Sequence, residues 1–413
     1  MIEKGQRQMG DMPMTNNSAN DSGDGFRRNP FHLDGRVVKP TPEILQPMLA
    51  QARASARTPL VGVTSDGTAE PGLFGLEPTG RSTASIVESA LAYLASLDPA
   101  RRAAAVLPLD SENWRLWFNI APNLLRHGVL LEELNEDQRD AALALLRETL
   151  SARGFQTARD IMKLNHTIAE LSGKWDLYGE WLYWMSVFGD PNRMEPWGFQ
   201  IDGHHLITNC LVVGDQMVLT PLFWGSEPVT ATSGKYAGTA VLGDEESLGY
   251  ALFHSLNAAQ RATAVLADQL PEEVFTGAFR DDFEMRFEGL PFDELTVDQQ
   301  AAFLRLVEVY VGRIRPEHAA VKMAEVERHL DRTYFAWIGG VGPDAVFYYR
   351  IHSPVILIEF DHLAGVAFDN DQPTRRHIHT VVRTPNGNDY GQDLLRLHRE
   401  RSSHARTLRP EEC

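Results

Sequence analysis

Three segments near the C-terminus, AVFYYRIH (345–352), SPVILIEFDH (353–362) and RRHIHTVVR (375–383), restrict the fold most. Successive side chains of a strand point to opposite sides, so odd and even positions separate onto two faces. In the first segment Phe347, Tyr349 and Ile351 lie opposite Tyr348, Arg350 and His352. In the second, Ile356, Ile358 and Phe360 lie opposite Leu357, Glu359 and Asp361. In the third, Ile378 and Val382 lie opposite His377, His379 and Arg383. Each strand therefore has one apolar face to bury and one that gathers ionisable groups, and connections of about four residues fit an antiparallel meander, although the 363–376 loop is longer.

A solvated sheet face calls for Lys, Glu, Thr and Ser. His-x-His, Glu-x-Asp and Arg-x-His side by side are a different population. His377 and His379 point the same way, which suits a metal, and a carboxylate such as Glu359 from the next strand supplies a third ligand. The stretch WGFQIDGHHLITNCLVV (197–213) adds His204 and His205. Adjacent strand residues point oppositely, so one of the two joins the site easily. Gly203 before them signals a bulge or a close backbone approach that relaxes this rule. The candidate metal ligands are thus His204, His205, Glu359, His377 and His379. The candidate catalytic groups are Arg350, suited to hold a substrate carboxylate, Asp361, placed to orient a ligand or act as general base, and His352 beside them. Hydrogen-bonded core histidines and a metal-free acid–base site are the competing readings.

Around these strands the chain reads as α+β, with a mixed or mainly antiparallel sheet flanked by helical segments. Residues 1–40, rich in Asn, Asp, Gly, Ser and Met, are expected to be a disordered tail. Residues 41–84 form a loop-rich lead-in with a short helix near Pro42. Residues 85–400 are expected to be one large domain: helical over 85–190, strands over 197–242, helical over 245–330, strands over 333–384 and a closing helix over 389–400. A short element recurs four times, as LDPARR (97–102), LNEDQR (134–139), LNAAQR (256–261) and LTVDQQ (295–300). Asp98, Asn135, Asn257 and Thr296 are N-caps in this reading, and Gln138, Gln260 and Gln299 complete capping boxes. The irregular spacings point to four similar helix starts and away from a solenoid.

Several function classes are excluded. The net charge of -17 repels phosphate backbones and anionic headgroups, so neither nucleic acid nor a membrane is expected as a partner. Two cysteines, Cys210 and Cys413, do not make a cysteine-based zinc site. GGVGPD (339–344) does not open a helix, and neither H-E-x-x-H nor G-x-S-x-G occurs. The N-terminal stretch has no apolar centre, and the expected location is cytoplasmic.

Taken in order, WRLWFNIAP, PWGFQIDGHHLITN, TPLFWGSEP, FYYRIHSPVILIEFDH, HIHTVVR and DYGQDLLRLH resemble the family known as domain of unknown function 3500 over residues 85 to 400. The resemblance implies that GHH, the Glu-x-Asp strand and HIH belong to one domain; it implies no established activity. Asp202 stands where the family usually has Glu, and His362 where Asn is common. The function expected from the residues is a metal-dependent enzyme, hydrolytic or oxidative, with a divalent metal such as zinc or iron and a small organic substrate. The alternatives are a non-catalytic ligand-binding protein and a metal-free His/Asp hydrolase. The oligomeric state is not expressed in these motifs.

Overall fold

A computed structural model describes residues 42–121, 124–365, 367–368 and 370–407, together with a two-strand ladder pairing His32–Leu33 with Arg36–Val37. Apart from that ladder, the expected disordered tail lies outside the described residues. Ten helices are present among them: α1 (Pro42–Ala56), α2 (Ala84–Ser96), α3 (Pro99–Ala105), α4 (Glu136–Thr149), α5 (Ala152–Ser172), α6 (Gly243–Ser255), α7 (Ala258–Ala264), α8 (Val297–Val311), α9 (Pro316–Glu327) and α10 (Gln392–Thr407). No helix of the described residues is long and apolar enough to cross a membrane.

One 13-stranded sheet joins β1 (Val106–Leu107), β2 (Tyr183–Phe188), β3 (Trp197–Gly203), β4 (Leu206–Val213), β5 (Leu222–Ser226), β6 (Val265–Ala267), β7 (Tyr334–Gly339), β8 (Phe347–His352), β9 (Leu357–Gly365) and β10 (Asn370–Arg383), with three short strands beside this path. The order along the path is β6-β7-β8-β9-β10-β5-β4-β3-β2-β1. The fold is therefore α+β and the sheet mixed but mostly antiparallel. The outermost pairs, β1 with β2 and β6 with β7, are parallel.

Read outward from the β10–β5 seam, the strand order is the same in both directions. Each half contains two helices, a short strand, two more helices and four strands of the meander. The fourfold recurring element falls into this scheme as two matched pairs: Asp98 and Asn257 cap α3 and α7, and Asn135 and Thr296 cap α4 and α8. Contacts repeat as well. Gln138 donates to the Ser96 carbonyl at the end of α2, and Gln299 donates to the Ser255 carbonyl at the end of α6, both at 2.8 Å. The structure is a duplicated unit, with complete capping boxes at Asn135/Gln138, Asn257/Gln260 and Thr296/Gln299. Asn135→Ala should lower stability by about 1 kcal/mol, because the Gln138 amide then loses its side-chain acceptor. An unchanged denaturant midpoint would show that water replaces this cap without cost.

The apolar face sorted by parity is the inner one. Tyr349, Ile351, Ile358, Phe360, Ile378 and Val382 join the main core with residues of α2, α4, α5, α6 and α8. The other face carries the polar set and is covered by segments around Trp114, Trp117, Val274 and Tyr390. Two spans differ from the sequence expectation. The stretch read as helical over 85–190 contains irregular chain after β1, and Tyr183–Phe188 is a strand that pairs with β3; its aromatic and β-branched residues fit a pleated surface. Within 245–330 the chain between β6 and Leu290 is irregular. Pro271 opens this loop and Gly289, at φ +101°, closes it. The loop lies over the polar face and supplies partners that local periodicity does not reveal.

Candidate metal centre

Gly203 pairs with Leu206, so His204 and His205 form the two-residue turn between β3 and β4. His205 adopts φ +62°. This left-handed conformation costs a non-glycine residue on the order of 1 kcal/mol or more and is retained where surrounding structure imposes it. Here the His205 amide donates to the Asn119 carbonyl at 3.0 Å, and its carbonyl accepts from the Gly225 amide at 2.8 Å. The turn sends the two imidazoles to different partners. His204 meets Asn165 Oδ1 through Nδ1 at 2.8 Å and packs against Tyr178. His205 points to β10.

There its Nε2 lies 3.2 Å from His377 Nε2, which in turn lies 3.0 Å from His379 Nε2. All three residues are buried, and the three ligand atoms fall within 4.8 Å of one another. The outer nitrogens fix the tautomers. His377 Nδ1 lies 2.8 Å from the Ala364 carbonyl, which only accepts, so Nδ1 donates. His379 Nδ1 lies 2.7 Å from Glu273 Oε1 and donates to that carboxylate. With the single proton of each ring on Nδ1, both Nε2 atoms carry lone pairs that face each other. Burial, and then the neighbouring imidazoles, hold the His205 pKa well below its usual value, and the one proton of that neutral ring, on either nitrogen, does not satisfy the His377 and His379 lone pairs together. A cation at the centre does. Four nitrogens around zinc at about 2.0–2.1 Å are about 3.3 Å apart, close to the two spacings observed. Carbonyl and carboxylate anchors on the outer nitrogens are the usual support for metal-bound imidazoles.

Gly225 on β5 makes room for the cluster. A Cβ there would stand 2.8 Å from His379 Cδ2 and 2.7 Å from the Ile378 carbonyl oxygen. Phe223 closes one side, with its ring 4.9 Å from that of His379.

Asp361 sits directly opposite His379 in the β9–β10 ladder. Such pairs have Cβ atoms about 4.5–5.5 Å apart and share a face. Asp361 is fully buried, and neither carboxylate oxygen has a hydrogen-bond partner among the described residues. Burial, followed by the charges of Glu273 and Glu359, pushes its pKa well above the usual carboxylate range. The site thus has three convergent nitrogens and, next to them, one acid with free hydrogen-bonding capacity.

The remaining expected residues share the face but not the centre. Glu359 stands opposite Val381, and its oxygens accept from the Phe275 and Thr276 amides at 2.7 and 2.9 Å, from Tyr348 Oη at 2.8 Å and from the Thr276 hydroxyl. It anchors the covering loop and is not placed as a ligand. Arg350 is ion-paired with Glu288 at 2.7 Å. His352 packs on Phe287, and burial with the Arg350 charge lowers its pKa to about 3. His204 serves Asn165 in place of the cluster. Parity assigns the face, whereas register and reach assign the column along it. Glu273 and Gly225 were not among the sequence candidates: Glu273 lies in a loop read as helix, and a glycine that spares space between two rings leaves no local pattern.

A family model described as "Protein of unknown function (DUF3500)" matches residues 79–392. No curated protein and no solved structure matches the chain.

Proposed function

Because this chain belongs to the DUF3500 family, whose description carries no reaction, we propose its function from the site itself: a metal-dependent enzyme acting on a small organic substrate. The observation that supports this reading is the convergence of His205, His377 and His379 Nε2 with the outer nitrogens of His377 and His379 already engaged. Structural zinc sites close four protein ligands around the ion, whereas catalytic sites keep a position open. Three imidazoles here leave such a position. Imidazole ligands bring no charge of their own, so a divalent ion would keep its full charge and could polarise a substrate oxygen or acidify a bound water. Asp361 is the group we assign to proton transfer, since it is the buried acid without a partner beside the cluster. Its presence favours the hydrolytic over the oxidative version. Glu273 would hold His379 in the ligating tautomer, and Arg350 has no part in substrate binding in this reading because Glu288 occupies it. The free buried thiol of Cys210 is in keeping with a cytoplasmic setting.

Protein purified without chelator, or reloaded with zinc, iron(II), manganese or copper, is expected to hold about one ion per chain by elemental mass spectrometry. Turnover in a panel of small esters, lactones and amides should disappear with dipicolinate and return with the metal. Absence of stoichiometric metal in every loading sinks the proposal. Activity that persists in chelator would favour the metal-free His/Asp hydrolase, and tight metal binding without turnover the non-catalytic binding protein.

A further inference from the structure

The β5–β10 ladder ends at the pair Ser226–Ile378, and the next position on each strand is Glu227 and His377. Glu227 Oε2 lies 3.9 Å from His377 Nδ1, and both residues are buried. The ring N–H is directed at the Ala364 carbonyl, 2.8 Å away. At its longer distance the carboxylate reaches this ring through its charge and not through a hydrogen bond. The tip of the β9–β10 hairpin is shaped around it. A Cβ on Gly365 would overlap Glu227 Oε1, and the Ala367 amide donates to Oε2 at 3.4 Å.

A divalent ion among His205, His377 and His379 brings two positive charges to ligands that bring none. Burying an ion is unfavourable unless opposite charge stands close to it. Glu273, 2.7 Å from His379 Nδ1, supplies one negative charge. Glu227 is placed to supply the second, behind the neighbouring ligand on the same strand. The two carboxylates come from different halves of the molecule, Glu227 from the end of β5 and Glu273 from the loop after β6. Their sum matches a dication. Holding the chain at Ala367 requires only an acceptor oxygen, which a glutamine amide also offers, so the charge itself is left without a use until an ion is present.

We infer that Glu227 is a positioning residue that sets the charge selectivity of the metal centre: with Glu273 it makes the three-histidine site favour a divalent over a monovalent ion. This inference rests on the metal centre proposed above and holds whether or not the bound ion supports turnover. Removing a carboxylate behind a ligand weakens divalent-metal binding by about 10–100-fold. Coulomb attraction is proportional to the charge of the ion, so a monovalent ion loses the square root of that factor, about 3–10-fold. The ratio of the two affinities therefore falls, whereas damage to the ligand geometry lowers both affinities alike.

The test measures the affinities of the full chain for zinc(II) and, without oxygen, copper(I) by competition with chromophoric chelators. Glu227→Gln keeps the size of the side chain and an acceptor for the Ala367 amide, and it should lower the zinc-to-copper(I) affinity ratio by about 3–10-fold. Glu227→Asp keeps the charge but sets it back by one methylene, and its ratio should fall between the other two. It decides the question if Glu227→Gln does not fold. The inference alone is overturned if the wild type binds zinc and both variants keep its ratio. It is overturned equally if Glu227→Gln weakens zinc and copper(I) by the same factor, which would make Glu227 a support of the chain at Ala367. A wild type that binds neither ion overturns the metal centre itself, and this inference with it.

Discussion

His379→Ala should reduce bound metal from about one ion per chain to none detectable after desalting, with little loss of stability in the metal-free protein. Two imidazoles remain after this change, and two monodentate donors do not retain a divalent ion as three do. The small effect on the apo fold follows from the same geometry. His377 and His379 Nε2, 3.0 Å apart, oppose two lone pairs when no cation lies between them, and removing one ring removes that opposition. Metal added to the wild type at a hundred times its dissociation constant should raise stability by about 2.7 kcal/mol, an increment absent from the variant. Glu273→Gln provides an intermediate case. It keeps a hydrogen-bond acceptor for His379 Nδ1 but loses the charge, and a weakening of about 10–100-fold is typical of such supporting partners. If His379→Ala binds metal like the wild type, the three histidines are core hydrogen-bonding groups.

The largest effect on folding is expected at Arg383. This guanidinium is fully buried and pairs with Asp281 at 2.8 Å and Asp389 at 3.0 Å, while donating to the Thr276 and Gly277 carbonyls. Arg383→Met fills most of the volume but leaves Asp389 buried without its cation and two carbonyls unpaired. Breaking a buried pair from one side costs about 3–5 kcal/mol. Burial already raises the Asp389 pKa, with Arg383 the main opposing influence; in the variant nothing offsets it to the same degree. A carboxyl with a folded-state pKa raised above its unfolded value favours the folded state below the unfolded pKa and opposes it above the folded pKa. The deficit of Arg383→Met should therefore shrink as pH falls from 7 towards about 4. Urea unfolding across that range reads both quantities, and a deficit below about 1 kcal/mol at pH 7 would contradict the assignment. Because Thr276 and Glu273 share one loop, metal affinity should fall in the same variant.

Alternation along β8, β9 and β10 revealed which side of the sheet carries chemistry, because period-two patterning depends only on the strand itself. It did not reveal distance. Glu359 and Asp361 are equivalent by parity, yet the ladder sets Asp361 against His379 and Glu359 against Val381. His205 was legible as one of two adjacent candidates, and the left-handed turn residue settles which one faces β10. Glu273 was not legible, because its role comes from a loop that folds back across the sheet over a long sequence separation. The duplication was visible only in part. The four N-caps were evident, but they look irregular until taken two at a time, and the intervening loops differ between the halves.

The seam between those halves bears on how the molecule resists pulling apart. Within the sheet, β5 and β10 meet through only five residue pairs, from Leu222–Val382 to Ser226–Ile378. His205 belongs to one side of that seam and His377 and His379 to the other. An ion held by all three would act as a rivet through the midline, joining two sub-units that each carry their own helices and meander. Its mechanical contribution would be to tie the two halves directly across a ladder of five residue pairs, so that separating them means breaking metal bonds as well as backbone hydrogen bonds.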